Sequence, residues 1–197
     1  MAHLCPSLQR HTAVRAGDYA ELDLLNTLER GLSDAYTLFH SVDWSRGTGG
    51  KEQHGEIDIV AVNQAGDVLL IEVKAGEVDF LSGGIFKTYG DHTKNVKAQV
   101  GLQYGALRTR LNDAGLHGHL NHLLVLPDLK VKSETAQWPR ERIVDSEDMA
   151  HIVTRITQLL GPGLHDANRQ PRVLAFFENR FRVEPDVTAL AGNLQKT

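Results

Sequence analysis

The stretch from Gly55 to Gly76, G-E-I-D-I-V-A-V-N-Q-A-G-D-V-L-L-I-E-V-K-A-G, leaves this chain few ways to fold. Two apolar, β-branched runs flank a short Asn-Gln-Ala-Gly turn, which predicts a hairpin with strands near 56–63 and 67–75. The turn residues select a three-residue loop, Gln64-Ala65-Gly66, with Gly66 in the left-handed position that closes a type I turn with a bulge. That register pairs Asn63 with Asp67 and, counted back along the ladder, sets Asp58 opposite Glu72. Opposed residues share a face, their Cβ atoms about 4.5–5.5 Å apart. Alternation puts Lys74 on that face too.

Two carboxylates facing each other in a sheet are costly, and burial adds to the cost. Val60, Val68 and Leu70 lie on their face while Leu69, Ile71 and Val73 fill the other, so the hairpin is expected to be central and covered on both sides. Something must offset the charge. One candidate is a divalent cation, since Mg²⁺ is typically held by one or two carboxylates plus water and substrate phosphate. The other is Lys74 alone, neutralising the pair as a structural ion cluster, although apolar residues would fill such a place at less cost.

Asp58, thirteen intervening residues and then Glu72-Val73-Lys74 resemble the D…(D/E)-x-K signature of the PD-(D/E)XK nuclease superfamily. With its neighbours, the stretch is similar to the core of the nuclease-related domain (NERD) family. So are G-D-Y-A-E-L-D-L-L-N-T-L upstream and N-V-K-A-Q downstream, and the resemblance covers roughly residues 17–126. It implies an α/β fold with a restriction-endonuclease-like core, a central mixed β-sheet flanked by helices. It also implies a metal-dependent nuclease acting on nucleic acid, with DNA the expected substrate, in which Asp58, Glu72 and the Val73 carbonyl hold one or two Mg²⁺, with Mn²⁺ as a substitute. Glu21 would extend that metal set from a helix, and cleavage would leave a 5′-phosphate. Lys74 would accept a proton from water, its pKa lowered by burial, or contact the scissile phosphate. Gln99 matches the glutamine of the family's N-P-x-x-Q element and would help position the site; Val96 stands where the family usually has proline.

The net charge of −4 is unlike the basic footprint of most nucleic-acid binders. Local charge differs: between Phe86 and Arg110, Lys87, Lys94, Lys97, Arg108 and Arg110 face only Asp91. Lys87, Lys94, Lys97 and Arg108 are therefore the candidate nucleic-acid contacts. The 41% hydrophobic and 23% charged composition is that of a globular domain. A single cysteine, Cys5, excludes an internal disulfide framework. No apolar run reaches the roughly 18 residues of a membrane span, and the first residues lack a signal-peptide core, so a cytoplasmic protein without membrane contact is expected.

Three parts are expected: a loose leader over 1–16, a nuclease-like domain over 17–160, and a C-terminal helix and tail over 161–197. A helix begins at Asp18, with Leu24, Leu25, Leu28 and Leu32 as one buried stripe. Asp18 and Glu21 also fit a capping box, which is the bland account of Glu21. Tyr36–Val42 reads as a strand and Trp44–Gly55 as a Gly-rich loop. Gly49-Gly50-Lys51 fails the phosphate-loop pattern, because position 45 is Ser and position 52 is Glu. Arg46 and Lys51 either meet phosphates or belong to a plain connector. Strands are expected at Ile85–Tyr89, His119–Leu126 and Arg142–Val144. Helices are expected at Asn95–Leu111, from Asp145 through Leu160, and over Pro171–Phe181. His117 and His119 face one way on a strand but have no acidic or cysteine partner at metal-binding spacing. The Phe-rich last helix either docks on the domain or marks a junction to a further module, and some members of the family continue into helicase modules. Against the nuclease stands a non-catalytic nucleic-acid-binding or assembly module of the same fold.

Overall fold

The computed structural model describes residues 1–5, 16–48, 51–82, 84–132 and 138–179, with the backbone alone for residues 16–17, 46–48 and 51–52. In chain order the elements are β1 (His3–Cys5), α1 (Ala16–Gly31), β2 (Tyr36–Thr48), β3 (Lys51–Asn63), β4 (Val68–Val73), β5 (Asp79–Leu81), β6 (Gly84–Tyr89) and β7 (His92–Asn95). There follow α2 (Val96–Asp113), β8 (Leu120–Val125), β9 (Ile143–Val144), α3 (Ile152–Leu159) and α4 (Arg169–Glu178). The central sheet has the order β1-β2-β3-β4-β8-β9. β2, β3 and β4 run antiparallel, whereas β1, β8 and β9 join their neighbours in parallel. This is the expected α/β fold with a mixed sheet between helices.

Strand alternation builds a core on each face. Ile59, Ala61, Leu69 and Ile71 pack against Leu24, Leu25, Leu28 and Leu32 of α1 and Ile152 and Ile156 of α3. Val60, Val62, Val68 and Leu70 pack against Leu107 and Leu111 of α2 and Val173 and Phe177 of α4. A third cluster joins Ile85 of the small β5-β6-β7 sheet to Val96 and Val100 at the start of α2. Each fully buried Leu or Phe contributes about 1.5–3 kcal/mol.

The hairpin adopts the register that its turn demands. Val62 pairs with Val68 and Ile59 with Ile71, and the Asn63 amide donates to the Asp67 carbonyl at 3.1 Å. Gly66 takes φ 79°. Asn63 shapes the loop, its Oδ1 accepting from the Ala65 and Asp67 amides at 3.0 and 2.9 Å. Its Nδ2 donates to the Gly161 carbonyl at 2.8 Å, tying the turn to the segment after α3.

Three expectations are revised. Within the Gly-rich loop expected at Trp44–Gly55, residues 44–48 and 51–55 are strand: β2 and β3 pair as one long ribbon, Trp44 with Gly55. A Cβ on Gly55 would lie 2.4 Å from the Trp44 ring, so glycine here makes room for an aromatic rather than a bend. Asp18 is not the cap residue that a capping box needs, because α1 starts at Ala16 and Asp18 sits inside its first turn. The stretch read as a leader contains β1, which pairs with β2. The Phe-rich helix docks as α4, with Val173 and Phe177 fully buried. The side chains of Arg46 and Lys51, and the tail from 180 with Phe181, lie outside the described residues. No described helix is long and apolar enough to cross a membrane.

Asn63→Ala removes two acceptor bonds and one donor bond from the turn. It is expected to lower stability by about 2–3 kcal/mol in urea melts; an unchanged midpoint would show that the apolar strands set the hairpin without it.

Candidate active site

The ribbon turns over at Asp58. His40 pairs with Ile59 and Val42 with Ile57, but the ladder skips the intervening Ser41 and Asp58. Ser41 has φ 56°, a left-handed conformation that costs a non-glycine residue about 1–3 kcal/mol. The consequence shows in the packing: Ile59 belongs to the α1 side of the sheet and Ile57 to the α2 side. The β3–β4 ladder also stops at Ile59–Ile71, so Asp58 does not pair with Glu72 through the backbone as expected. Instead the Val73 amide donates to Asp58 Oδ2 at 2.7 Å, the carboxylate standing in for a ladder carbonyl.

The side chains still converge. Lys74 Nζ lies 2.5 Å from Glu72 Oε1 and 4.0 Å from Asp58 Oδ2. Gln99 Nε2 donates to Glu72 Oε1 at 2.7 Å. From the next turn of α2, Gln103 Nε2 donates to Glu72 Oε2 at 3.3 Å and to the Glu56 carbonyl at 3.0 Å. Exposure of Asp58, Glu72, Lys74 and Gln103 is only 7, 2, 9 and 1%. The helix starts without the family's proline because Asn95 caps it, its Oδ1 accepting from the Ala98 amide at 3.0 Å. Gln103 was not among the expected site residues; its spacing of four from Gln99 places both on one helix face and was the available signal.

Burial, then the charge of Glu72, push the Asp58 carboxyl well above its ordinary range; Glu21 adds to this, against Lys74 and the Val73 amide. For Lys74, burial pulls the ammonium down, as expected, but Glu72 and Asp58 together outweigh it and its pKa is raised. The expected lowering of the Lys74 pKa is thus reversed, and in this arrangement the residue is a held cation rather than a base. Glu21 lies at the edge of the group, its Oε2 3.5 Å from His40 Nε2. Among the described residues no three His, Cys, Asp or Glu side chains come together as a ligand cluster. The acidic oxygen donors that this group could offer a metal are the carboxylates of Asp58 and Glu72, both close to Lys74. Hard oxygen donors so few in number suit Mg²⁺, which keeps several waters.

Lys74 opens onto a cleft of about 940 Å³ whose lining includes Glu21, Val73, Lys87 and Tyr89. Asp58 and Glu72 are not among the residues that line it. The model of the nuclease-related domain, NERD, matches residues 16–127, more than half of the chain.

The chain belongs to the NERD family.

No curated protein and no solved structure matches it. The matched span of this NERD domain contains α1, the hairpin, the small sheet, α2 and β8, and with them every expected site residue. The candidate nucleic-acid contacts divide. Lys87 lines the cleft and pins the turn after β4, donating to the Ala75 and Glu77 carbonyls. Lys94 pairs across the ribbon with Lys87. Lys97 is half-buried on α2. Arg108 lies about 16 Å further along that helix. There it donates to Tyr104 Oη and the Gly118 carbonyl, beside Gly66 and Val68 at the other end of the hairpin. His117 and His119 are exposed, His117 meeting Asn112, and burial and Arg142 hold His122 down to about 4.

Because folding raises the Asp58 pKa above its ordinary 3.8, the folded protein keeps a proton that the unfolded chain releases. In EDTA its stability should fall as pH rises from about 4 toward the folded pKa. Asp58→Asn retains an acceptor for Val73 and is expected to remove that slope and add about 0.5–2 kcal/mol at neutral pH. Parallel urea-melt profiles for the two proteins would contradict this account. Lys74→Ala leaves two buried acids without their cation and should cost about 3–5 kcal/mol. Gln103→Leu is expected to cost about 1–3 kcal/mol, since the Glu56 carbonyl and Glu72 lose a donor.

Proposed function

We propose that this NERD domain is a phosphodiesterase acting on DNA, with Mg²⁺, or Mn²⁺ in its place, held by Asp58, Glu72 and the Val73 carbonyl. The observation that carries this reading is the excess of buried acid. Among the described residues Asp58 and Glu72 share a single ammonium within 4.0 Å, and the fold raises the pKa of Asp58 rather than replacing it with an apolar residue. Such sites are where burial and like charges are arranged for chemistry.

A bound divalent ion supplies a polarised phosphoryl oxygen and a more acidic attacking water. The chain's own residues do the rest. The Val73 amide fixes one oxygen of Asp58, which aims the other. Gln99 and Gln103 hold the Glu72 carboxylate in one orientation. Lys74 is the charged group of this set that lines the cleft, and its retained proton suits it to a phosphate oxygen, where it stabilises developing negative charge. Glu21, on the cleft wall, would act on the site through the field it exerts on Asp58.

The second reading is a nucleic-acid-binding module without turnover. It is favoured by the completeness of the Glu72 environment, where Lys74, Gln99 and Gln103 already serve both oxygens. Incubation of plasmid, linear DNA and RNA with Mg²⁺ or Mn²⁺ separates the two. Asp58→Asn and Glu72→Gln are expected to reduce cleavage at least about 100-fold, the scale of losing one group that stabilises transition-state charge. Lys74→Met should be equally slow yet bind Mn²⁺ more tightly by calorimetry, since the competing ammonium is gone. Equal, metal-independent nucleic-acid retention by all four proteins without cleavage would favour the binding module.

A further inference from the structure

We propose that the cleft receives a single-stranded nucleic-acid segment, with Tyr19 and Tyr89 as stacking platforms for its bases. This deepens the nuclease reading and rests on it for the phosphate at Lys74; the evidence for stacking is independent. Among the described residues the exposed large hydrophobics include two aromatics, Tyr19 at 59% and Tyr89 at 43%. Both line the cleft that holds Lys74. They come from unconnected elements, α1 and β6, so no shared packing need accounts for both rings at this mouth.

Charge is distributed to match. Lys87 and Lys94 are cross-strand partners, and each ammonium lies 5.6 Å from the centre of the Tyr89 ring. Both ammonium groups lie over the ring, so a base that stacks on Tyr89 takes the place of one of them, and the displaced lysine can meet that base's own phosphate. The facing wall of α1 is acidic, with Glu21 and Asp23 lining the cleft. A phosphate backbone is repelled there, whereas the amino groups of unpaired bases can donate to carboxylates. A duplex would bring a second phosphate strand against that wall and hold its bases stacked away from both tyrosines. The fit is to one strand, its backbone on the β6–β7 side and its bases toward α1.

The test is fluorescence anisotropy in EDTA at one fixed salt concentration, using a labelled mixed-sequence single strand and the blunt duplex made from it. The strand should bind more tightly than the duplex. Tyr19→Ala and Tyr89→Ala should each weaken strand binding roughly 5- to 100-fold, the range for losing one stacked base. Tyr19→Phe and Tyr89→Phe, which keep the ring, should bind like wild type. Both positions are exposed, so the variants are expected to fold, and circular dichroism checks it. Preference for the duplex, no measurable strand binding, or unaltered affinity in both alanine variants would overturn the proposal. Cleavage is not read here, so a protein that prefers the strand but never cuts defeats only the hydrolase reading. One that cuts but ignores both tyrosines defeats only this one.

Discussion

A carboxylate placed inside a sheet has to be matched donor for donor, and Glu72 imposes that condition on the whole molecule. Lys74 on its own strand serves one oxygen, and Gln99 and Gln103 of α2 reach down to both. These bonds fix how α2 lies on the sheet, because a shift of one turn would leave Glu72 without two of its partners. Gln103 also bonds the Glu56 carbonyl of β3, so helix, central strand and neighbouring strand are joined at one buried point. The apolar contacts of Leu107 and Leu111 then continue along the same helix at the far end of the hairpin.

Asp58 is held by a different device. Ser41 accepts a left-handed backbone, the ladder opens opposite it, and a side chain replaces a main-chain acceptor. Local strain of this kind belongs with the raised Asp58 pKa: the fold keeps an arrangement that a purely structural sheet would avoid. In a NERD domain, whose family name already points to nucleases, strain at Ser41 and acid excess at Asp58 across from it give that relation a physical content.

The parts legible in the sequence were those fixed by short-range rules. Asn63 and Gly66 dictate a turn, the turn dictates a register, and the register gives the two faces of the hairpin. The motif residues followed, and Asp58, Glu72, Lys74 and Gln99 meet. What could not be read depends on distant partners. Ser-Val-Asp at 41–43 carries no mark of a left-handed residue. The glycines between 47 and 55 look like a loop until Trp44 is seen lying over Gly55. The Lys74 shift is a balance between burial and two acids, and the sequence names all three without saying which side wins. Arg108 shares an azimuth with Lys97, but its place is decided by the length of α2 and by Tyr104.

The oxygen of Asp58 that receives the Val73 amide belongs at once to the putting together of the strands and to whatever reaction the acids perform. Selection for a folded chain alone would keep an oxygen-bearing side chain at that position after the chemistry had lapsed. A lineage could drift from acid to amide there with little structural loss, whereas a hydrocarbon would strand an amide in the sheet. Persistence of the signature among descendants of such a domain is therefore poor testimony that they still cut; the change from aspartate to asparagine is the mark by which retired copies would be told.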